Sequence, residues 1–253
     1  MPRSKHGGPH ELGQNFLHHK PTLKLIARLV ARTSGPILEI GPGDGALTRV
    51  LVRLQRPISA IEIDERRVAT LRREFPQIRV RCADVLSSRL DAPNIVGNLP
   101  FHLTTPILRK LLKAHRWQTA IVMTQWEVAK KRASVGGGTM MTAQAAPWFE
   151  FELAGRVPAW GFSPRPAVDG GVLAINRRES PLVRAAERRL YEHFVRKMFT
   201  GRGGDLGRIL ENATGMRRKA ARRLVAELDL GVRALPRNIK PDQWVALWRA
   251  GRG

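Results

Sequence analysis

Between Ile37 and Thr124, short apolar runs of strand length alternate with segments of helical period, and that alternation leaves few folds open. Ile37–Ile40, Ser59–Ile63, Ile78–Cys82, Ile95–Val96 with its neighbours, and Ala120–Thr124 read as strands. Ala46–Leu54, Glu65–Glu74 and Thr104–Ala114 read as helices between them, with another from about Trp126. Pro21–Arg32, ahead of the first strand, has helical spacing too. The pattern predicts a doubly wound, mainly parallel α/β sheet. Two later runs, Phe151–Val157 and Gly171–Ile175, flank the proline-rich Trp160–Asp169 segment and are expected to close the sheet, one of them antiparallel.

The pattern changes near Asn176–Pro181. Beyond it only amphipathic helical stretches remain: Val183–Phe199, Leu206–Asn212, Arg217–Leu228 and Asp242–Trp248. Charge changes there as well. Of the 44 Lys and Arg in the 253 residues, against 21 Asp and Glu, 19 fall in residues 176–253 beside only 8 acids. The charge per residue in this stretch is therefore about double that of the residues before it, which marks a second, basic, helical domain. A net charge of +23 attracts polyanions, and arginine's planar fork suits phosphate. A solvated basic surface is the plain alternative, and charge alone names neither the nucleic acid nor an activity. Arg217, Arg218, Lys219, Arg222 and Arg223 form the tightest cluster.

One cysteine, Cys82, permits no internal disulfide and no zinc site, so no metal is expected. The basic N-terminus is followed by no apolar stretch, so neither a signal peptide nor a membrane span is expected, and a cytoplasmic location fits.

Four motifs carry chemistry. Glu39-Ile40-Gly41-Pro42-Gly43-Asp44-Gly45 follows a strand and precedes a helix. Its glycines let the backbone turn sharply and approach a ligand. The spacing is neither that of dinucleotide folds nor that of a P-loop. Glu62 and Asp84 stand at the ends of the next two strands. Either acid alone is as readily an exposed strand-end residue. Together, beside the glycine turn, they describe an adenosine-shaped site, one for ribose hydroxyls and one for an adenine amine.

Asn98-Leu99-Pro100-Phe101, after the fourth strand, is the most specific. An exocyclic adenine amine is a poor nucleophile because its lone pair is delocalised into the ring. Two acceptors, the Asn98 side-chain oxygen and a backbone carbonyl beside Pro100, can hold both amino hydrogens and localise that pair. Pro100 fixes the backbone, and Phe101 can stack on a flipped base. An ordinary Asn-x-Pro turn is the alternative.

These motifs, with Gln14-Asn15-Phe16-Leu17 near the start, resemble the ribosomal RNA adenine N6-methyltransferases over essentially the whole chain. The resemblance implies a Rossmann-like class I methyltransferase sheet with a small C-terminal all-helical domain, and S-adenosyl-L-methionine as cofactor. It implies a cofactor-binding catalytic domain over 1–177, with a basic arm over 1–17, and an RNA-binding helical domain over 178–253. Asn15 and Leu17 would contact the methionine end, with Gly41 beneath it and Gly43 and Gly45 completing the turn. Glu62 with Ile63 would hold the ribose, Asp84 with Val85 the adenine, and Asn98 would face both cofactor and target amine. Leu99 and Pro100 would complete the catalytic tetrapeptide, and Phe162 would close the target base opposite Phe101. Arg165 and the Arg217–Arg223 cluster are the expected RNA contacts.

Within this family, Gly136-Gly137-Gly138-Thr139-Met140-Met141-Thr142-Ala143-Gln144 looks like the actinobacterial Erm-type enzymes of macrolide–lincosamide–streptogramin resistance. The substrate that follows is an adenine in the peptidyl-transferase loop of 23S rRNA, met as free or early precursor RNA by a monomeric enzyme. Phe101 stands where many members have Tyr. A housekeeping small-subunit (16S) dimethyltransferase is the first alternative. A non-catalytic RNA-binding assembly factor is the second, disfavoured because every motif is intact.

Overall fold

The computed structural model describes residues 15–231 and 234–252. Gln14 and the preceding part of the expected arm lie outside the described residues. The chain divides into two compact units, Met1–Ala129 with Glu152–Asn176, and Lys130–Phe151 with Arg177–Gly253.

In chain order the elements begin with β1 (Phe16–Leu17), α1 (Lys20–Ala31), β2 (Ile37–Ile40), α2 (Ala46–Val52), β3 (Ile58–Glu62) and α3 (Glu65–Glu74). Then come β4 (Arg79–Cys82), β5 (Asn94–Asn98), α4 (Thr104–Lys113), β6 (Thr119–Gln125), α5 (Trp126–Arg132) and α6 (Met140–Ala145). β7 (Phe149–Val157), β8 (Phe162–Ser163) and β9 (Gly170–Arg177) complete the strands. α7 (Arg188–Thr200), α8 (Leu206–Thr214), α9 (Arg218–Glu227) and α10 (Pro241–Ala250) follow.

Seven strands form one sheet in the order β4-β3-β2-β5-β6-β9-β7. The β4-to-β6 part is parallel, and β9 runs antiparallel to β6. The order reverses between β2 and β5, which opens a crevice at their carboxyl ends. All four residues of β2 are buried, as a central strand covered on both faces requires. α1 turns Thr22, Leu23, Ile26 and Val30 inward. α3 starts on Asp64, whose carboxylate accepts the Arg66 and Arg67 amides. One glycine sets the spacing at the crevice. Gly97 pairs with Ile40 across β5 and β2, and a Cβ there would lie 2.6 Å from the Ile40 carbonyl oxygen.

Residues 15–17, read from sequence as the end of an arm, differ from that expectation: Phe16 and Leu17 pair antiparallel with Ser163 and Phe162 of β8. Cys82, placed by sequence inside an apolar run, is exposed on the edge strand.

The second unit has an aromatic core. Tyr191 is fully buried, its ring edge-on to Trp148 and Trp248, and its hydroxyl donates to the Ala143 carbonyl at 3.0 Å. Gln144 donates to the Glu192 carbonyl, so α6 is tied to α7 twice over. Those bonds explain why residues 130–151 belong with the helices of this unit. No described helix is long and apolar enough to cross a membrane.

Candidate active site

The crevice between β2 and β5 deepens into a cavity of about 330 Å³, in the size range of small-molecule sites. The sequence motifs converge on it. Asn15, Leu17, Gly41, Gly43, Glu62, Ile63, Asp84, Val85 and the whole Asn98–Phe101 tetrapeptide line its wall. All but Asn15 and Leu17 sit at or just past the carboxyl end of a strand of the main sheet, so the parallel register of β2 to β5 gathers residues that are scattered in sequence, and the β1 segment adds the other two.

The glycine turn is held open by position and contact. Gly43 has φ +56°, and a Cβ on it would lie 2.9 Å from the Phe16 ring. Its N–H donates to Glu62 Oε2 at 3.0 Å, and Glu62 Oε1 accepts the amides of Ile63 and Asp64 at 2.8 and 3.1 Å. Three of roughly four acceptor positions on this buried carboxylate are thus used to shape the loop, and about one is left for a ligand. Asp84 is exposed and accepts the Leu86 amide at 2.7 Å.

Asn98 closes the other side. Its amide nitrogen donates to the Asn15 carbonyl at 2.7 Å. A carbonyl can only accept, so this bond fixes which way the amide points: Asn98 Oδ1 is the atom left over as an acceptor. The Leu99 N–H is spent on the Met123 carbonyl at 2.9 Å, and the Pro100 carbonyl on the Leu103 amide at 2.9 Å. No described donor takes the Leu99 carbonyl. The motif therefore offers two acceptors one residue apart, beside the half-buried ring of Phe101.

The family model for ribosomal RNA adenine dimethylase matches residues 6–234. This chain belongs to that family. It is 49% identical to an rRNA adenine N-6-methyltransferase of Corynebacterium diphtheriae, over 80% of this chain and 82% of that protein. It is 44% identical to the mycinamicin-resistance protein MyrB of Micromonospora griseorubida, over 97% and 80% of the two chains. The crystal structure of the 23S rRNA methyltransferase ErmE superimposes with a TM-score of 0.86 at 32% identity, covering 94% of this chain and all of that one.

In this member of the family, two of the residues expected to hold the cofactor or the target base sit elsewhere than the cavity wall. Gly45 is the left-handed residue that starts α2, packed on Phe75. Phe162 is buried, its ring over Gly170 and edge-on to Phe101 with centroids 6.1 Å apart at 73°. As the rings stand, that gap is too small for a base to stack between them. Arg165 is exposed in the loop before β9. Arg217, Arg218 and Lys219 are exposed at the start of α9 without a described ion-pair partner, whereas Arg222 pairs with Asp205 and Arg223 with Glu227.

Sequence reasoning missed Glu39 as a site residue. It is buried in the middle of β2 and lines the cavity. The Thr48 hydroxyl donates to its Oε2 at 2.7 Å, but its buried Oε1 meets no donor. Burial pushes its carboxyl up to about 7; the Thr48 bond opposes this and the nearby Glu62 charge adds to it. A carboxyl inside Ile-Leu-Glu-Ile was the available signal, since an acid buried among aliphatic residues needs a partner. The raised value has a thermodynamic sign. Between the ordinary carboxyl range and about 7, the folded state holds a proton that the unfolded state has released, so this group's contribution falls as pH rises through that window. Glu39→Gln is expected to gain stability relative to the parent by about 3 kcal/mol on going from pH 5 to pH 8. Urea unfolding at both pH values measures it, and a pH-independent difference would contradict it.

Proposed function

We propose that this protein transfers a methyl group from S-adenosyl-L-methionine to the N6 amine of an adenine in the peptidyl-transferase loop of 23S rRNA, and so confers macrolide-type resistance. The observation that carries the chemistry is the oriented Asn98 amide, with its nitrogen committed to Asn15 and its oxygen left as an acceptor.

The cavity suits the cofactor. Its orphaned Glu39 oxygen calls for a donor or a cation, and a side chain at Gly41 would project to within 3.9 Å of the Asn98 carbonyl, into the space between the two motifs. Glu62 would offer its remaining acceptor position to the ribose, with Ile63 packed on it, and Asp84 with Val85 would hold the adenine. Asn15 and Leu17 would hold the methionine end. The bound cofactor supplies an electrophilic methyl on a sulfonium, which needs no metal. Asn98 Oδ1 and the Leu99 carbonyl would then take the two amine hydrogens of the target and localise the nitrogen lone pair. Pro100, with φ near −55°, keeps the Leu99 carbonyl in place. Phe101 would stack on the flipped base, and Phe162 would buttress Phe101 or swing out to cover the base's other face.

The 23S assignment draws on the identity to MyrB along 97% of the chain and on the likeness to ErmE. Arg165 and the unpaired cations of α9 would hold phosphates of the RNA, as free or early precursor RNA, with the protein acting as a monomer. Incubation of the purified protein with S-adenosylmethionine and rRNA, then nucleoside analysis, should yield N6-methylated adenosine. Absence of any methylated adenosine, with RNA and cofactor both shown to bind, would overturn the proposal.

A further inference from the structure

We propose that the outer face of α1, headed by the exposed indole of Trp160, is a track that holds the RNA strand leading to the target adenine. This rests on the reading of the protein as an RNA methyltransferase. It adds a binding surface in the sheet unit, separate from the cluster on α9.

Lys20, Lys24, Arg28 and Arg32 recur at every fourth residue and are all exposed. The buried residues of α1, Thr22, Leu23, Ile26 and Val30, lie on the opposite side of the helix. At 1.5 Å rise per residue, successive cations stand about 6 Å apart along the axis. That is close to the separation of successive phosphates along a nucleic-acid strand.

α1 contains no acid, and none of the four cations has an acidic partner among the described residues; Arg28 only reaches the Lys24 carbonyl at 3.4 Å. Like charges at i,i+4 spacing destabilise a helix. Other helices of this protein relieve the same problem internally, through Arg188–Glu192, Arg208–Glu211 and Arg223–Glu227. A ridge without such pairs is matched by an external polyanion. Arg56 adds a fifth cation at the far end, donating to the Val30, Thr33 and Gly35 carbonyls where α1 stops.

The near end of the ridge meets the active site. Asn15 to His18, just ahead of α1, line the cavity. The His18 and His19 amides donate to the Gly161 carbonyl, and the His19 ring packs edge-on to Trp160 at 4.9 Å. Trp160 is 57% exposed, the most of any large apolar side chain described. It stands two residues before Phe162 and three before Ser163, which lines the cavity. An indole held from behind by a histidine, at the head of a cationic ridge, is suited to stack a base beside the flipped adenine while the ridge takes the phosphates.

The test is fluorescence anisotropy of a labelled rRNA fragment bound to the full-length protein, over a range of salt. The triple variant Lys20→Ala, Lys24→Ala, Arg28→Ala should reduce the slope of log affinity against log salt by about 2, at roughly 0.7 per cation on single-stranded RNA. Trp160→Ala should weaken binding about 5- to 100-fold with the slope unchanged. A triple of equal charge elsewhere, Arg66→Ala, Arg73→Ala, Arg79→Ala, should leave the slope as it is. An unchanged slope in the α1 triple, or an equal fall in both triples, would overturn the track while the methyltransferase reading stands. Parent protein that binds RNA yet methylates no adenine would overturn that reading instead. Thermal unfolding checks the fold; if the alanine triple melts below the parent, the glutamine triple at the same positions replaces it.

Discussion

Asn98→Ala is expected to lower methyl transfer by about a thousandfold, roughly 4 kcal/mol of barrier, the scale seen when one pre-placed polar group is removed from a reaction centre. The loss has two parts. The Oδ1 acceptor disappears, so the target amine keeps its lone pair in the ring. The bond from Nδ2 to the Asn15 carbonyl also disappears, and with it one tie holding the β1 segment against the cavity. Cofactor affinity should therefore fall too, but by far less than turnover. Asn98→Asp separates the parts: it keeps an acceptor but places a carboxylate oxygen against the Asn15 carbonyl, so the tie is lost and turnover falls as well. Single-turnover methyl transfer and cofactor calorimetry check both variants. An Asn98→Ala enzyme within tenfold of the parent would contradict the mechanism.

Gly97→Ala should cost about 3 kcal/mol of stability, at the upper end for overpacking a core. One methyl is enough because it meets the Ile40 carbonyl at 2.6 Å and the Ile40 Cβ at 3.1 Å, and both residues lie in buried central strands. β2 and β5 would have to separate where the glycine turn and Asn98 emerge, so the cavity would distort with the fold. Gly204→Ala is the control. It has open space around the added methyl, and its effect should stay within about 0.5 kcal/mol. Denaturant unfolding of the three proteins checks this, and equal midpoints for Gly97→Ala and the parent would refute it.

The sheet was legible because its signals are local. Ile37–Ile40 and Glu65–Glu74 agree residue for residue between pattern and structure, since an aliphatic run bounded by a proline and a glycine and an Asp-capped amphipathic run each specify their own bounds. The β1–β8 pair was not legible: two-residue strands carry no periodicity, and their pairing depends on chain 145 residues away in the register Leu17↔Phe162. Val183, read as helical, lies ahead of a 3-10 turn at Ala185–Glu187, and α7 starts only at Arg188. An apolar residue buried before a helix mimics the helix's own first turn. The motifs on the cavity wall could be read because parallel strands bring their carboxyl ends together by construction. Glu39 was passed over because its importance lies in a missing partner, which only packing reveals. Phe162 was placed by chain position, but the burial of its ring depends on the space left by Gly170.

Reverse-transcription mapping of both ribosomal RNAs after methylation in vitro, with the parent protein and Asn98→Ala side by side, tests the target and the chemistry together. The parent should leave one strong stop at an adenine of the large-subunit peptidyl-transferase loop, and the variant should lose it. A stop confined to the small-subunit RNA, or one that persists undiminished in Asn98→Ala, would contradict the proposed function.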